Sequence, residues 1–240
     1  MTLFRPAMQL NLSPIGFIES CFKEKFGIPR QPGLVTAARA RLKLIAPYDR
    51  EEAVRGLDGF SHIWLIFGFH GTAEQGWKPT VRPPRLGGNK RLGVFATRST
   101  FRPNPLGLSV VRLSAVDTTA GVVLSLSGAD LLDGTPVYDI KPYLPYADIL
   151  PDASGGFAPD EPDQSMPIHF SDLALQQLAQ ARSAYPDLQV LIEQMLRYDP
   201  RPAYFGASER DKPFGVRLYE FDVKWRIEAG GALVLAVERV

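Results

Sequence analysis

Short apolar stretches with a two-residue period recur through the first 150 residues. In the stretch 40–45, ARLKLI, Leu42 and Leu44 share one face while Arg41 and Lys43 share the other. This alternation is typical of a β-strand with one buried face. Further stretches that we predict to be strands span residues 62–69, 92–97, 106–116, 121–129 and 135–140. Because turn-forming residues separate these stretches and helical spacing is almost absent, the pattern predicts a closed or nearly closed antiparallel sheet.

The pattern changes after a stretch rich in proline, glycine and acidic residues. This stretch, residues 151–167, is predicted to link a domain of residues 1–150 to a smaller one of residues 168–240. In the second domain apolar residues recur at helical spacing in two stretches, the first of which Ser171 can cap. Two apolar stretches flank residues 229–231 and predict a β-hairpin, so we expect a small α+β domain.

Composition narrows the protein class. The chain has 240 residues, 45% hydrophobic and 22% charged, as in a globular protein. No apolar stretch reaches the roughly 18 residues of a membrane helix, and the first 14 residues lack the features of a secretory signal. The one cysteine, Cys21, excludes a disulfide within the chain and a cysteine-based zinc site. We therefore expect a cytoplasmic protein with no membrane partner.

The net charge of +1 hides a division along the chain. Residues 1–150 hold 18 Lys/Arg against 12 Asp/Glu, a net +6, whereas residues 151–240 hold 9 against 14, a net −5. Residues 75–116 contain no acidic residue. Their basic residues are Lys78, Arg82, Arg85, Lys90, Arg91, Arg98, Arg102 and Arg112. A basic block of this kind suits a polyanion such as RNA, although a solvated surface loop has the same composition.

Common catalytic signatures are absent from the sequence. It has no G-x-S-x-G elbow, no Walker phosphate loop, no HExxH zinc helix and no glycine-rich dinucleotide turn. His62, His70 and His169 are too scattered to indicate a metal site. A conventional doubly wound enzyme is therefore not expected, and we predict no metal.

Residues 98–107 interrupt a strand pattern in an unusual way. Their two prolines cannot donate hydrogen bonds to a sheet, so the strand ladder pauses and presents Arg98, Arg102 and Asn104 together. A guanidinium offers forked donors for a carboxylate or phosphate, and a carboxamide can pair with an adenine edge. The alternative interpretation is a kink whose arginines cover a sheet edge.

Two further clusters have candidate chemistry. In FGIPRQPGL, residues 26–34, prolines present Arg30 and Gln31 rigidly, unless the segment is an ordinary turn. In residues 130–146, acids, a lysine and tyrosines suit a site that stacks a base and handles a proton. The alternative is a simple turn followed by an Asp–Lys pair. The members of this second cluster are Asp130, Asp133, Tyr138, Asp139, Lys141, Tyr143 and Tyr146.

Five long motifs resemble the TrmO (TsaA/VirR-like) family of tRNA (adenine-N6)-methyltransferases. They are FGIPRQPGL, VRGLDGFSHIWLIFGFH, TVRPPRLGGNKRLGVFATRSTFRPNPLGLS, DLLDGTPVYDIKPYLPYAD, and QMLRYDPRPAY followed by FDVKWRI. The resemblance implies a single-sheeted β-barrel that binds S-adenosyl-L-methionine, together with the C-terminal domain of the bacterial members. It also implies a homodimer and N6-methylation of threonylcarbamoyladenosine at position 37, next to the anticodon of threonine tRNA.

Carried onto this chain, the resemblance implies a set of cofactor-binding residues. They are Pro29, Arg30, Gln31, His70, Gly71, Arg98, Leu108, Thr135, Pro136, Val137 and Tyr138. We expect Arg98 to hold the cofactor carboxylate. We expect Asn104 to orient the target and Asp139 or Tyr138 to take its proton. We expect Arg102 or Lys141 to pair with the threonyl carboxylate.

The arginine and lysine residues Arg82, Arg85, Lys90 and Arg91 are assigned to RNA phosphates. Two other functions are compatible with the residues. One is a noncatalytic RNA-binding barrel, and the other is a methyltransferase that acts on a different adenine-containing substrate.

Overall fold

The computed structural model describes residues 10–201, 213–228 and 230–240. These residues contain twelve strands and four α-helices. The strands are β1 (Gly16–Ser20), β2 (Arg39–Leu44), β3 (His62–Gly68), β4 (Thr80–Val81), β5 (Leu92–Gly93), β6 (Leu106–Asp117), β7 (Val123–Ser127), β8 (Pro136–Pro142), β9 (Ile168–Phe170), β10 (Phe214–Leu218), β11 (Phe221–Glu228) and β12 (Gly231–Arg239). The helices are α1 (Glu51–Val54), α2 (Pro145–Asp148), α3 (Asp172–Ala181) and α4 (Leu188–Arg197).

Six strands close into an antiparallel barrel in the order β1-β2-β7-β6-β3-β8. The barrel interior takes every second side chain. Leu42 on β2 and Leu124 on β7 lie opposite each other and are fully buried, as are Ile63 and Leu65 on β3. The alternation that predicted inward-facing leucines at 42 and 44 is confirmed, and so is the barrel fold.

Residues 92–97 were predicted to be a strand, and most of that prediction is wrong. Only Leu92–Gly93 pairs, with Thr80–Val81, and a 3₁₀ turn follows at Val94–Ala96. In this turn Val94 is buried, whereas Phe95 is 73% exposed. The two apolar residues Val94 and Phe95 therefore lie in a turn, one facing the interior and the other facing solvent.

A second, four-stranded sheet in the order β10-β11-β12-β9 packs with α3 and α4. The Ser171 hydroxyl caps α3 by accepting from Ala174 N at 3.1 Å, as predicted. The apolar stretch 216–227 is not one strand, because Tyr219 (φ 52°) turns the chain between β10 and β11. Residues 151–167 form neither helix nor strand, and we place the proposed boundary between the two units there.

Each unit has its own hydrophobic core. The barrel interior forms one core, and the faces of α3, α4 and the second sheet form the other. The second core also includes side chains from the connection between β1 and β2. These are Cys21, Phe22, Val35, Ala37 and Ala38. The β1–β2 connection thus belongs to the barrel by sequence and to the C-terminal unit by packing.

No helix of the described residues is long and apolar enough to cross a membrane. Within the same residues, no group of three or more His, Cys, Asp or Glu side chains is arranged to hold a metal ion.

Candidate functional site

A cleft of about 960 Å³ opens on the outer face of β3 and β6. The β1–β2 connection forms one wall of the cleft, and the segment after the 3₁₀ turn at Val94–Ala96 forms another. Nine residues predicted from the sequence line it, namely Pro29, Arg30, Gln31, His70, Gly71, Arg98, Arg102, Leu108 and Thr135. The structure thus brings together motifs that lie far apart in the sequence.

The floor of the cleft is apolar because of the register between two barrel strands. Ile66 pairs with Leu108 and Trp64 pairs with Val110, so the four side chains share the outer face of the barrel. Gly107 allows close packing beside this floor, because a Cβ there would lie 2.3 Å from the Phe67 ring. The outer face of β3 and β6 therefore offers an apolar surface to a ligand.

Arg98 and Gln31 link the two walls of the cleft. The Arg98 guanidinium donates a hydrogen bond from Nη1 to the Gln31 side-chain oxygen. Both residues line the cleft, and Arg98 is exposed. Arg98 thus offers its remaining donors to an anionic ligand group.

Asp130 belongs to the cluster of acids, lysine and tyrosines in residues 130–146, but the sequence does not predict a binding or catalytic role for it. Among the described residues that line the cleft, it is the only carboxylate. Its Oδ1 atom is buried, with no hydrogen-bond partner within the described part of the chain. Burial raises the pKa of Asp130 to about 6, although the Ser109 hydroxyl and the positive charge of Arg98 favour the ionised form. A buried, unpartnered carboxylate oxygen of this kind suits a cationic ligand group.

The prolines of residues 98–107 hold a loop that is braced by one of its own arginines. Arg102 Nη1 donates to Thr97 O at 2.8 Å and to Val94 O at 3.3 Å. Arg102 lines the cleft, but these bonds occupy part of its donor set. Asn104 is exposed between two lining residues, Arg102 and Leu106, and does not itself line the cleft.

Strand β8 carries Tyr138, Asp139 and Lys141 on the outer face of the barrel, beside the cleft. Asp139 lies opposite Ile66 and Lys141 opposite Trp64. Tyr138 is the extra residue of a β-bulge, and its ring packs against Gly68. Asp139 and Lys141 form an exposed ion pair at 3.3 Å.

None of these three β8 residues lines the cleft, and neither do Pro136 and Val137. Val137 is fully buried in the barrel core, so its side chain faces away from the outer surface. The stretch 135–138 thus contributes only Thr135 to the cleft. Thr135 precedes β8, whereas Val137 faces the barrel core and Tyr138 packs against Gly68.

The four basic residues assigned to RNA lie outside the cleft on the segment around β4 and β5. All four are exposed. Arg91 donates to the Thr80 hydroxyl at 3.0 Å, and Arg85 donates to the carbonyl of Asp160. Arg82 and Lys90 complete the set, so the segment presents a positively charged surface next to the cleft.

Comparisons with known proteins agree with this arrangement. Family models described as "tRNA-methyltransferase O N-terminal domain" and "TrmO C-terminal domain" match residues 17–149 and 163–240. A tRNA (adenine(37)-N6)-methyltransferase of Escherichia coli K12 is 53% identical over 93% of this chain and 96% of its own. A Pseudomonas aeruginosa protein, RcsF, whose name gives an inferred S-adenosylmethionine-dependent methyltransferase activity, is 51% identical over 91% of this chain and 93% of its own.

Solved structures give the same result. The crystal structure of TrmO from Pseudomonas aeruginosa superposes with a TM-score of 0.81 at 43% identity, covering 96% of this chain and 99% of that chain. The last motif of the sequence, QMLRYDPRPAY, lies within the matched C-terminal domain, although residues 202–204 fall outside the described residues. Because family models cover both parts of the chain, this chain belongs to the tRNA-methyltransferase O (TrmO) family.

Proposed function

We propose that this chain N6-methylates threonylcarbamoyladenosine at position 37 of threonine tRNA. It is a tRNA (adenine(37)-N6)-methyltransferase that uses S-adenosyl-L-methionine. The observation that carries the proposal is that Arg98 and Asp130, whose buried Oδ1 atom has no partner among the described residues, both line one apolar-floored cleft. An anion site next to a cation site suits an amino-acid ligand that also carries a sulfonium.

The residues of the cleft fit the cofactor. Its adenosine part and its methylene groups need apolar contact, which the floor of Trp64, Ile66 and Leu108 supplies. Its carboxylate matches the Arg98 guanidinium, and its ammonium and sulfonium cations match the Asp130 carboxylate. When bound, the cofactor supplies an electrophilic methyl group. The contribution of the chain is to hold the target in line and to exclude water.

The target nitrogen is a poor nucleophile because the threonylcarbamoyl group delocalises its lone pair. Loss of its proton strengthens it, so a nearby acceptor lowers the barrier. Asn104, at the rim of the cleft, orients the base edge or the carbamoyl group. Asp139 or Tyr138, on the adjoining outer face of β8, accepts the proton, and Arg102 or Lys141 pairs with the threonyl carboxylate.

The proposed enzyme acts as a homodimer in the cytoplasm, with the cofactor near the subunit boundary. Exposed apolar side chains outside the lining of the cleft support this assembly. Phe95 is 73% exposed and Trp77 is 54% exposed. Apolar surface of this kind beside a ligand cleft is typical of an interface.

A methyl-transfer assay tests the substrate. Tritium from methyl-labelled S-adenosyl-L-methionine is expected to enter bulk tRNA that carries the threonylcarbamoyl group and to remain at background in tRNA that lacks it. Equal incorporation into both tRNAs would indicate a different adenine-containing substrate. Absence of cofactor binding by calorimetry would instead support the noncatalytic RNA-binding barrel.

Replacing Arg82 and Lys90 together with alanine tests the basic surface. We expect weaker tRNA binding and a slope of log Kd against log salt that is lower by about 1 to 2, because each phosphate contact releases roughly one counterion. Filter binding at salt concentrations from about 50 to about 250 mM measures the slope. Lys43→Ala is the matched control, because β2 lies three strands from β3 in the barrel. An unchanged slope in the double variant removes these residues from the RNA interface.

A further inference from the structure

The connection between β1 and β2, residues 21–38, lines the cleft with Lys25 and with its tip, residues 28–32. Pro29, Arg30 and Gln31 line the cleft there. Residues 25–30 also separate the cleft from a second cavity of about 130 Å³. The opposite wall of this second cavity includes Met195 and Tyr198 of the C-terminal unit. Since a cavity lies behind the tip, its position depends on the contacts made by the two legs of the connection.

The outgoing leg joins the second sheet as an extra edge. The carbonyl of Cys21 accepts from Tyr219 N at 2.7 Å, and the backbone N–H of Arg217 donates to the Glu24 carboxylate at 3.0 Å. These contacts continue the sheet beyond β10. Cys21 is also fully buried in the second core. This leg is therefore bonded to the C-terminal unit in addition to its contacts with Asp133, which lies between β7 and β8.

The returning leg has a backbone bond to the barrel side, from Gly33 N to Gly128 O at 2.8 Å, and then contacts a side chain of α4. Gln194 accepts a hydrogen bond from Ala37 N at 2.9 Å, and its amide donates to the Thr36 hydroxyl at 3.1 Å. Val35, just before, is buried in the second core. The backbone N–H of residue 37 thus finds its acceptor on the C-terminal unit.

Gly27 lies just before the tip, close to strand β10 and helix α4 of the C-terminal unit. Its φ of +86° favours glycine. A Cβ there would lie 2.6 Å from Val216 Cγ2 on β10 and 3.0 Å from Met195 Sδ on α4. A side chain at this position would therefore have to displace Val216, Met195 or the tip itself.

We propose that the C-terminal unit positions the cofactor-binding tip by holding both legs of the β1–β2 connection, with Gln194 and the Gly27 contact as its positioning elements. The inference rests on the proposed function, because it takes the cleft to be the cofactor site. The C-terminal unit thus has a role in the cleft, although Gln194, Val216 and Met195 do not line it.

Two glycine variants isolate the contact from backbone strain. Gly27→Ala and Gly33→Ala introduce the same methyl group at nearly the same φ, +86° and +81°. Only at Gly27 does the methyl meet the C-terminal unit, since no atom of the described residues lies within 4 Å of a Cβ at Gly33. We expect Gly27→Ala to weaken cofactor binding about tenfold, as overpacking moves the tip, and Gly33→Ala to weaken it by about twofold or less. Calorimetry with S-adenosyl-L-methionine measures both.

Gln194→Met and Gln194→Glu test the side-chain bond. Methionine loses the acceptor and is expected to weaken cofactor binding about fivefold, whereas glutamate keeps the acceptor and restores binding to within about twofold. Gln189→Met is the control, because Gln189 is exposed on the same helix and bonds only to Glu193 among the described residues. Hydrogen–deuterium exchange without cofactor is expected to increase in residues 25–31 of Gln194→Met and not of Gln189→Met.

The outcomes separate the two proposals. If the wild-type chain does not bind the cofactor, the proposed function fails, and the exchange experiment still reports whether the C-terminal unit holds the tip. If Gly27→Ala and Gln194→Met bind the cofactor as tightly as their controls and show unchanged exchange, the positioning role is overturned. Thermal melts of all variants identify any loss that is only global unfolding.

Discussion

Replacing Arg98 with methionine is expected to raise the cofactor Kd about 100-fold and to lower kcat/KM for the cofactor by a similar factor. The reason is the loss of a charge-assisted, forked hydrogen bond to the cofactor carboxylate, together with a desolvated anion left unpaired. Methionine keeps an unbranched apolar stem but removes the charged guanidinium. Calorimetry gives the Kd, and methyl transfer at limiting cofactor gives kcat/KM.

Arg98→Lys separates charge from geometry. Lysine keeps the positive charge but loses the fork and the bond to Gln31, so we expect about a tenfold loss. Arg112→Met is the matched control, since Arg112 is exposed on β6, belongs to the same basic block and does not line the cleft. Wild-type cofactor affinity in Arg98→Met would move the carboxylate site elsewhere in the cleft.

The barrel could be predicted from the sequence because strands such as β2 and β7 alternate between apolar and polar residues. Leu42 and Leu124 face the interior as the two-residue period requires. The two-residue period predicts the wrong structure where contacts distant in the sequence determine the local conformation. Val94 and Phe95 are both apolar, yet they belong to a 3₁₀ turn with one residue buried and the next exposed. The split between β10 and β11 was missed because Tyr219, a residue with high strand propensity, occupies a left-handed turn.

The candidate site was partly accessible from local sequence. The two prolines of residues 98–107 predicted the interruption of the strand that places Arg98 in the cleft. The motif around Gln31 contains the residue that Arg98 bonds. Asp130 could not be selected in the same way, because its burial depends on which residues of β6 pack over it. Nor could the sequence place Tyr138, since the β-bulge that turns it outward is a property of the pairing between β3 and β8.

Replacing Asp130 with asparagine is expected to weaken cofactor binding and to stabilise the fold at the same time. At pH 8 the cofactor Kd should rise about 100-fold, because a buried carboxylate that pairs with a cation is lost. In the wild-type chain without cofactor, burial raises the pKa of Asp130 to about 6. The folded state therefore holds this proton more tightly than the unfolded state does. That contribution to stability is fully present below about pH 4 and is lost as the pH rises through 6.

The stability effect follows from the same pKa. Above pH 6 the wild-type fold carries an unfavourable buried charge, so Asp130→Asn should raise the free energy of unfolding by on the order of 2 kcal/mol at pH 8. At pH 4 the gain should be close to zero. Urea unfolding at both pH values measures it. Asp139→Asn is the control, because the Asp139 side chain is 51% exposed, whereas the Oδ1 atom of Asp130 is buried.

The two measurements must be read together. Replacing a polar group that serves only the structure lowers the free energy of unfolding. Replacing a buried charge that serves a ligand raises it, because only the bound ligand offsets the cost of burying that charge. Loss of both stability and binding in Asp130→Asn would identify Asp130 as a structural acceptor. Cofactor binding by the wild-type chain that weakens as the pH falls below 6, and a loss of that dependence in Asp130→Asn, would instead tie the cation site to this one carboxylate.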